Sequence, residues 1–465
     1  MSSSLSVDSL ASNYEEINGD FIPLSKRERL SVIHIIGICA SMLAYQIAYS
    51  VEFALGTPIM ARLNVSQTLQ SFIWLTGPLS GFIVQPLIGF YSDTFRARLG
   101  RRRPFIIVGG VGIVSGFIVL SLVEKIGGLL SKTNSNGYSI GVLAFALLLT
   151  NVSINVLQGP SRALLGDVIP KSQQVLANSL GSFMLGIAAV VANLIGGLEL
   201  AQYTNGKFTT EQLVIYFGCV LLVLGVICTL LCAREEQFVG RVERENPLKE
   251  IFKTAKEMPA PVFRISMVYL MSWMAYFPFN VEVTDYFGRD IYKAEPKTPM
   301  YDKGVSFGML VIAVSNVLVM IYGAFQESVL KCLGMKISYA ISQIIEGFCL
   351  LSVFYTKDKH LLLGLLAPLG ISCTIFNSVP FAVVGMIVEQ SKMGTYMGIL
   401  NSFAVVGQQI SSFILVSGVG SVVKNKAPII GGGAVFAFIS AIMCSWIIVP
   451  KEDKDKFEHL LSTKE

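Results

Sequence analysis

The chain has 465 residues, of which 53% are hydrophobic and 14% charged, and its mean hydropathy is +0.62. Soluble domains carry about 25% charge, so a chain this apolar needs lipid as its solvent. The formal charge of +5 does not point to nucleic acid, because the basic residues cluster at the ends of apolar stretches.

Residues 1–30 are Ser-rich and acidic, then basic at Lys26, Arg27 and Arg29, and are expected to form a disordered cytosolic tail without a cleavable leader. Twelve apolar stretches of spanning length follow, at 31–56, 68–92, 104–123, 139–166, 174–198, 212–232, 264–282, 304–325, 337–355, 361–388, 395–418 and 428–449. They predict an all-α membrane protein: a six-helix half over 31–232, a cytosolic linker over 233–262, a second six-helix half over 263–449 and a cytosolic tail over 450–465.

Polar side chains inside spanning helices are costly, so their positions carry information. In span 1, Tyr45, Tyr49 and Glu52 lie at i, i+4, i+7 on one face. The loop after it holds the sequon Asn64-Val65-Ser66, close to the bilayer. Gly77–Pro104 (GPLSGFIVQPLIGFYSDTFRARLGRRRP) begins as an apolar helix and ends as a basic hinge. Asp93 falls where that helix leaves the bilayer. It can receive Arg101, Arg102 and Arg103 or a neighbouring helix N-terminus. This group reads as a conformational latch or, alternatively, as a positive-inside anchor.

In span 4, Asn151, Asn155, Gln158 and Arg162 share one face. The linker holds Asn246 as a helix N-cap, Pro247 at the first helical position and an apolar stripe of Leu248, Ile251, Phe252 and Ala255, which predicts a short amphipathic helix on the membrane surface or on protein. Span 7 offers Trp273, Tyr276 and Phe277, whose rings suit the apolar face of a sugar. Tyr339, Gln343 and Glu346 repeat the striped pattern in span 9, and Asn401 and Gln408 do so in span 11. Such stripes suit a polyhydroxyl ligand; the competing reading is interhelical hydrogen bonding.

With both termini inside, 24 of the 36 lysines and arginines fall on the inner side and 12 on the outer, as the positive-inside rule requires. Gly89, Asp93 and Gly100 recur at the same spacing as Gly323, Glu327 and Gly334, and Pro160, Ser182 and Phe183 as Pro380, Ser402 and Phe403. Both repeats point to two pseudo-symmetric halves with a site between them. The eight cysteines have no paired spacing, and the sequence offers neither a metal cluster nor a nucleophile–histidine pair, so no cofactor and no enzymatic chemistry are expected.

The string GPLSGFIVQPLIGFYSD … GRRRPFI resembles the loop between helices 2 and 3 of the major facilitator superfamily. Its longer form is similar to the sucrose:proton symporters of the glycoside–pentoside–hexuronide:cation symporter branch. Gln158–Asp167 (QGPSRALLGD), Trp273–Phe279 (WMAYFPF), Thr284–Gly288 (TDYFG), Tyr301-Asp302-x-Gly304-Val305 and Pro380-Phe381-Ala382 extend the likeness. The resemblance implies a twelve-helix carrier in which Arg162 contacts substrate and Asp285 matters for transport. The plant members carry an aspartate proton carrier eleven residues before the arginine, where this chain has Asn151. Its Glu52, in VEFALGTP, resembles the glutamate before the Thr-Pro pair of the animal and fungal relatives.

The resulting expectation is proton-coupled symport of a disaccharide, sucrose or another glucoside. Glu52 and Arg162 form the coupling pair, and Tyr49, Asn151, Asn155, Gln158, Arg162, Tyr276, Asp285, Gln343, Glu346 and Gln408 bind substrate. Asp93, Arg101, Arg102 and Arg103 gate. The alternatives are an uncoupled facilitator of a sugar or another small polar solute, and a sugar sensor on a transporter fold. The expected partners are sugar, protons and the lipid bilayer, with no nucleic acid. The expected membrane is the plasma membrane, with the vacuolar or lysosomal membrane as the alternative.

Overall fold

The computed structural model describes residues 23–197, 210–235, 246–295, 298–423 and 425–449, and every regular element in them is helical. The expectations for most of the N-terminal tail, for the middle of the linker and for the tail after Val449 fall outside the described residues.

In chain order the helices are α1 (Val32–Arg62), α2 (Gln67–Asp93), α3 (Arg103–Ser121), the short α4 (Val123–Leu130), α5 (Ser135–Val168), α6 (Gln174–Gly197), α7 (Thr210–Cys232) and α8 (Pro247–Lys256). Then come α9 (Ala260–Tyr286), α10 (Pro299–Leu333), α11 (Met335–Tyr355), α12 (Lys359–Leu366), α13 (Leu369–Ile387), α14 (Met393–Ser411) and α15 (Ala427–Met443). Polar caps set several starts. Ser66, Asn134, Thr298 and Asp358 each accept a backbone N–H three residues on.

Among the described residues, 11 helical stretches are long and apolar enough to cross a membrane. The remaining expected span corresponds to α9. Its 27 residues exceed the spanning length, and it carries Arg264, Glu282 and Asp285. The stretch expected at 361–388 is one of the 11, Lys359–Ile387, and within it the chain forms two helices, α12 and α13, which meet at Pro368. Proline has no N–H to give to a helical ladder. α14 continues into a π-helical stretch at Ser412–Val419.

Large apolar side chains stay on the outside along the helices, among them Phe72, Val108, Phe145, Leu231 and Phe413. Such a surface is unfavourable in water and ordinary in lipid.

The helices group into two compact units. The first comprises Met1–Ala177, Ile187–Ala255 and Val388–Ile399; the second comprises Asn178–Gly186, Lys256–Ile387 and Leu400–Glu465. A single cut in the linker does not reproduce this division, because two short segments cross it. Gly89 of α2 lies against the backbone of Gly394, in the first unit's third segment. Gly323 of α10 lies against Phe183, in the second unit's first segment, so close that an added Cβ would sit 2.7 Å from the Phe183 nitrogen.

Inside the first unit α3 packs on α5 and α1 on α7. Gly109 permits the first contact: a Cβ there would lie 2.7 Å from the Leu157 nitrogen. Inside the second unit α15 packs on α9 and α11, with Gly433 against the Ala275 carbonyl.

Candidate functional site

In the first unit, α1, α2 and α5 bring a polar network into an apolar surround. Glu52 is 2% exposed, and its Oε1 accepts from Asn151 Nδ2 at 2.5 Å. Its Oε2 is buried without a hydrogen-bond partner. The Asn151 amide also reaches the Leu147 carbonyl at 3.0 Å and Thr76 Oγ1 at 3.4 Å. One turn on, Asn155 donates to the Asn151 carbonyl at 2.8 Å. Gln85 of α2 then joins the stripe: its Nε2 donates to Asn155 Oδ1 at 2.7 Å and to Gln158 Oε1 at 2.8 Å. Tyr49 closes the chain by donating to the same Gln158 oxygen at 3.1 Å. Five residues from three helices, Tyr49, Gln85, Asn151, Asn155 and Gln158, thus form one connected array with Glu52 at its end.

Glu52 and Arg162 do not form the expected pair. The carboxylate is turned to Asn151, and Arg162 stands eleven residues further along α5, roughly 16 Å along the helix axis. Arg162 is buried and lies beside Tyr45 and Tyr49. Gln85 is a member that the stripe reading of spans 1 and 4 passed over. A glutamine within the apolar stretch 68–92 was the available signal, and the structure buries it to 1% exposure.

In the second unit, Gln343 Nε2 donates to Glu346 Oε2 at 2.8 Å, and both residues are fully buried. Glu346 Oε1 and Gln343 Oε1 have no hydrogen-bond partner. Tyr276 sits in an aromatic cluster with Phe376 and Trp273, at ring-centroid distances of 5.4 and 6.2 Å. The indole Nε1 of Trp273 is buried without a partner. Tyr339 takes part in a separate hydroxyl cluster with Ser272, which also meets Ser440. Gln408 is half-buried on α14.

Asp285 lies elsewhere. At the end of α9 it accepts from the Tyr301 hydroxyl at 2.7 Å and from Arg289 Nε at 2.8 Å, and Lys426 Nζ stands 3.2 Å away. Lys426 also pairs with Glu282 at 2.9 Å. Burial alone would lower the Lys426 ammonium, but these carboxylates outweigh it and the net shift is upward. Asp290 bonds the backbone N–H groups of Lys426 and Ala427, at the start of α15. Burial pushes its carboxyl up against those bonds. Asp285 therefore belongs to an ion cluster about nine residues, roughly 13 Å, along α9 from Tyr276.

The basic hinge is resolved into distinct roles. Arg102 is fully buried: its guanidinium donates to Asp93 Oδ1 at 2.5 Å, Asp167 Oδ2 at 2.7 Å and Ser92 Oγ at 2.5 Å. Asp93 in turn accepts the first-turn amides of α14, Gly394 N and Thr395 N, both at 2.8 Å, and the Thr395 hydroxyl at 2.6 Å. A carboxylate at a helix N-terminus meets both free N–H groups and the positive end of the dipole. Arg101 pairs with Asp167 at 3.0 Å. Arg103 does not face Asp93; it donates to the Leu230 carbonyl at 3.3 Å and lies 3.7 Å from Glu235. Glu235 caps the start of α3 through the Arg102 and Arg103 backbone N–H groups, and burial pushes its carboxyl up. Gly100 adopts a φ of +97° where a Cβ would strike Glu235.

A family model described as Major Facilitator Superfamily matches residues 36–325. The chain is 28% identical to sucrose transport protein SUC4 of Arabidopsis thaliana, over 84% of both chains. It is 27% identical to sucrose transport protein SUT2 of Oryza sativa subsp. japonica, over 86% of this chain and 88% of that one. Among solved structures, the proton:xylose symporter XylE bound to 6-bromo-6-deoxy-D-glucose superposes with a TM-score of 0.64 at 13% identity, covering 90% of this chain and 96% of that one. The Escherichia coli fucose:proton symporter FucP gives 0.62 at 13% identity, covering 90% and 98%. A bacterial homologue of the iron transporter ferroportin in an outward-facing state gives 0.66 at 13%, covering 90% and 99%. At these identities the structural likeness speaks for the fold alone.

Proposed function

Because the chain belongs to the major facilitator superfamily, we propose that this membrane transporter moves a disaccharide, sucrose or another glucoside, together with protons by alternating access. The sugar class is supported by the full-length similarity to sucrose transport proteins. The tyrosine, glutamine and asparagine array of the first unit supplies the donors and acceptors that sugar hydroxyls require.

The observation that carries the coupling is Glu52. It is buried, and its contacts among the described residues are one amide donor for one oxygen and none for the other. Leaving a bare carboxylate in such surroundings costs several kcal/mol, so Glu52 holds a proton in this arrangement. The proton site connects through Asn151 and Asn155 to Gln85 and Gln158. A proton at one end and a sugar at the other then favour the same state, which is the thermodynamic content of symport. Arg162, charged at every accessible pH, acts as a hydroxyl donor beside Tyr49, independent of a pairing with Glu52. The helix-1 glutamate also favours kinship with the animal and fungal relatives over the plant carriers, and we place the protein in the plasma membrane.

The test is sugar uptake into proteoliposomes with an imposed pH difference, alkaline inside. Glu52→Gln, which mimics the protonated side chain, retains sugar exchange and accumulates less sugar than wild type under the same pH difference. Accumulation equal to wild type in this variant removes Glu52 as the carrier. Wild-type flux indifferent to the gradient makes the protein a facilitator.

A further inference from the structure

The second unit contains its own buried carboxylate, and the first unit's coupling chemistry does not use it. Glu346 is 0% exposed at the middle of α11. Its hydrogen-bond partner is the Gln343 amide, one turn back, at 2.8 Å. The other carboxylate oxygen has no partner, and neither does the Gln343 side-chain oxygen. The titratable groups that face it are Tyr276 on α9, Cys373 on α13, and Tyr339 and Cys349 on its own helix. None of these is a cation. Among the described residues no lysine, arginine or histidine pairs with it.

The local arrangement parallels that of Glu52. In each unit one buried carboxylate receives a single carboxamide N–H through one oxygen, and its other oxygen has no donor. An ionised carboxylate so placed has no compensating charge, and burying an unpaired ion costs several kcal/mol. A bound proton removes that cost, and the resulting O–H can donate a hydrogen bond, which an ionised carboxylate cannot. A purely structural side chain at this position would be better served by glutamine, or by an apolar residue of the same size.

We propose that Glu346 is a second proton-binding carboxylate, so that each transport cycle carries two protons, one on each unit's glutamate, with the sugar. The proton arrives from the outer solution, forms an O–H bond on Glu346 and leaves to the inner solution; no other bond changes. This inference rests on the proton-coupled reading above and adds the number of protons and the residue that binds the second.

Proteoliposomes holding the full-length protein, with the membrane potential clamped to zero, decide it by sugar accumulation against a pH difference. One coupled proton supports about tenfold accumulation per pH unit and two support about a hundredfold. Wild type is expected to reach the hundredfold line. Glu346→Gln and Glu52→Gln should each fall to the tenfold line, and the double variant should give no accumulation. Sugar counterflow, which needs no net proton movement, reports whether each variant is folded. Infrared difference spectra supply a second readout, because the carboxylic-acid C=O stretch present in wild type should lose intensity in Glu346→Gln.

Wild type on the tenfold line, with Glu346→Gln unchanged, overturns the proposal and leaves coupling through Glu52 intact. No pH-driven accumulation in wild type overturns the coupled reading itself. Accumulation that follows a sodium gradient and disappears in Glu346→Gln also overturns it, by making the site one for a metal cation.

Discussion

Arg101, Arg102 and Arg103 are chemically identical and consecutive, yet only Arg102 is fully buried, held by Asp93, Asp167 and Ser92. Gly100 turns the backbone through a positive φ just before them; Arg101 and Arg102 both reach Asp167, whereas Arg103 turns to Glu235 and the Leu230 carbonyl. Sequence spacing marks the cluster without separating its members. The same limit explains Glu52 and Arg162. Helical periodicity gives the face on which each side chain lies, but not which turn of the neighbouring helix it meets. At this scale Asp93 makes a clear prediction. Asp93→Asn keeps the shape and removes the charge that holds Gly394 N and Thr395 N. Charge-assisted bonds of this type are worth ~1.5–3 kcal/mol. Amide hydrogen exchange over residues 393–399 should therefore accelerate about tenfold or more, as read by mass spectrometry on the purified protein. An unchanged rate would reduce the contact to a bystander and leave the basic loop as an orientation signal.

Single helices show what composition conveys and what it misses. Long apolar runs identify the spanning elements because only a helix satisfies its own backbone in lipid. The break at Pro368 was not legible from the proline alone, because Pro78, Pro86, Pro160, Pro278 and Pro380 sit inside helices that continue through them. α8 begins where the Asn246 side chain accepts the Leu248 N–H at 3.0 Å. Its Leu248 and Phe252 are exposed, and Phe252 is 73% so, while Thr254 is buried. An apolar pair one turn apart, left uncovered beside a membrane domain, belongs in the interfacial layer. A fluorophore attached to a cysteine at residue 252 in nanodiscs should be quenched by lipid-borne quenchers more strongly than one at residue 249. Equal quenching at the two sites would place the helix in water or against protein.

For the molecule as a whole, the charge bias of the loops predicts that residue 246 faces the cytosol. A cysteine introduced at Asn246 should resist a membrane-impermeant maleimide added to intact cells and react after permeabilisation; labelling in intact cells would invert the topology. The internal repeat also has structural counterparts. Gly100 and Gly334, equivalent in the repeated spacing, both adopt positive φ, at +97° and +80°. Gly89 and Gly323, its other glycine pair, each receive the backbone of a segment distant in sequence. Those distant segments, Val388–Ile399 and Asn178–Gly186, were not legible. A hydrophobic pattern records that a helix is apolar on several sides, and it does not record which turn is claimed by which unit.

The first unit's dependence on residues 388–399 gives its folding a clock. Asp93, Arg102 and Asp167 are all made long before Gly394 and Thr395, which are 301 and 302 residues after Asp93. At ribosomal speeds of about 5–20 residues per second, the α14 partners of Asp93 arrive some tens of seconds later. Throughout that interval the first unit sits in the bilayer with a carboxylate prepared for an N-terminus that has not been translated. A nascent chain halted shortly before residue 388 should therefore be a substrate for membrane chaperones and quality-control proteases, and one released after residue 399 should begin to escape them.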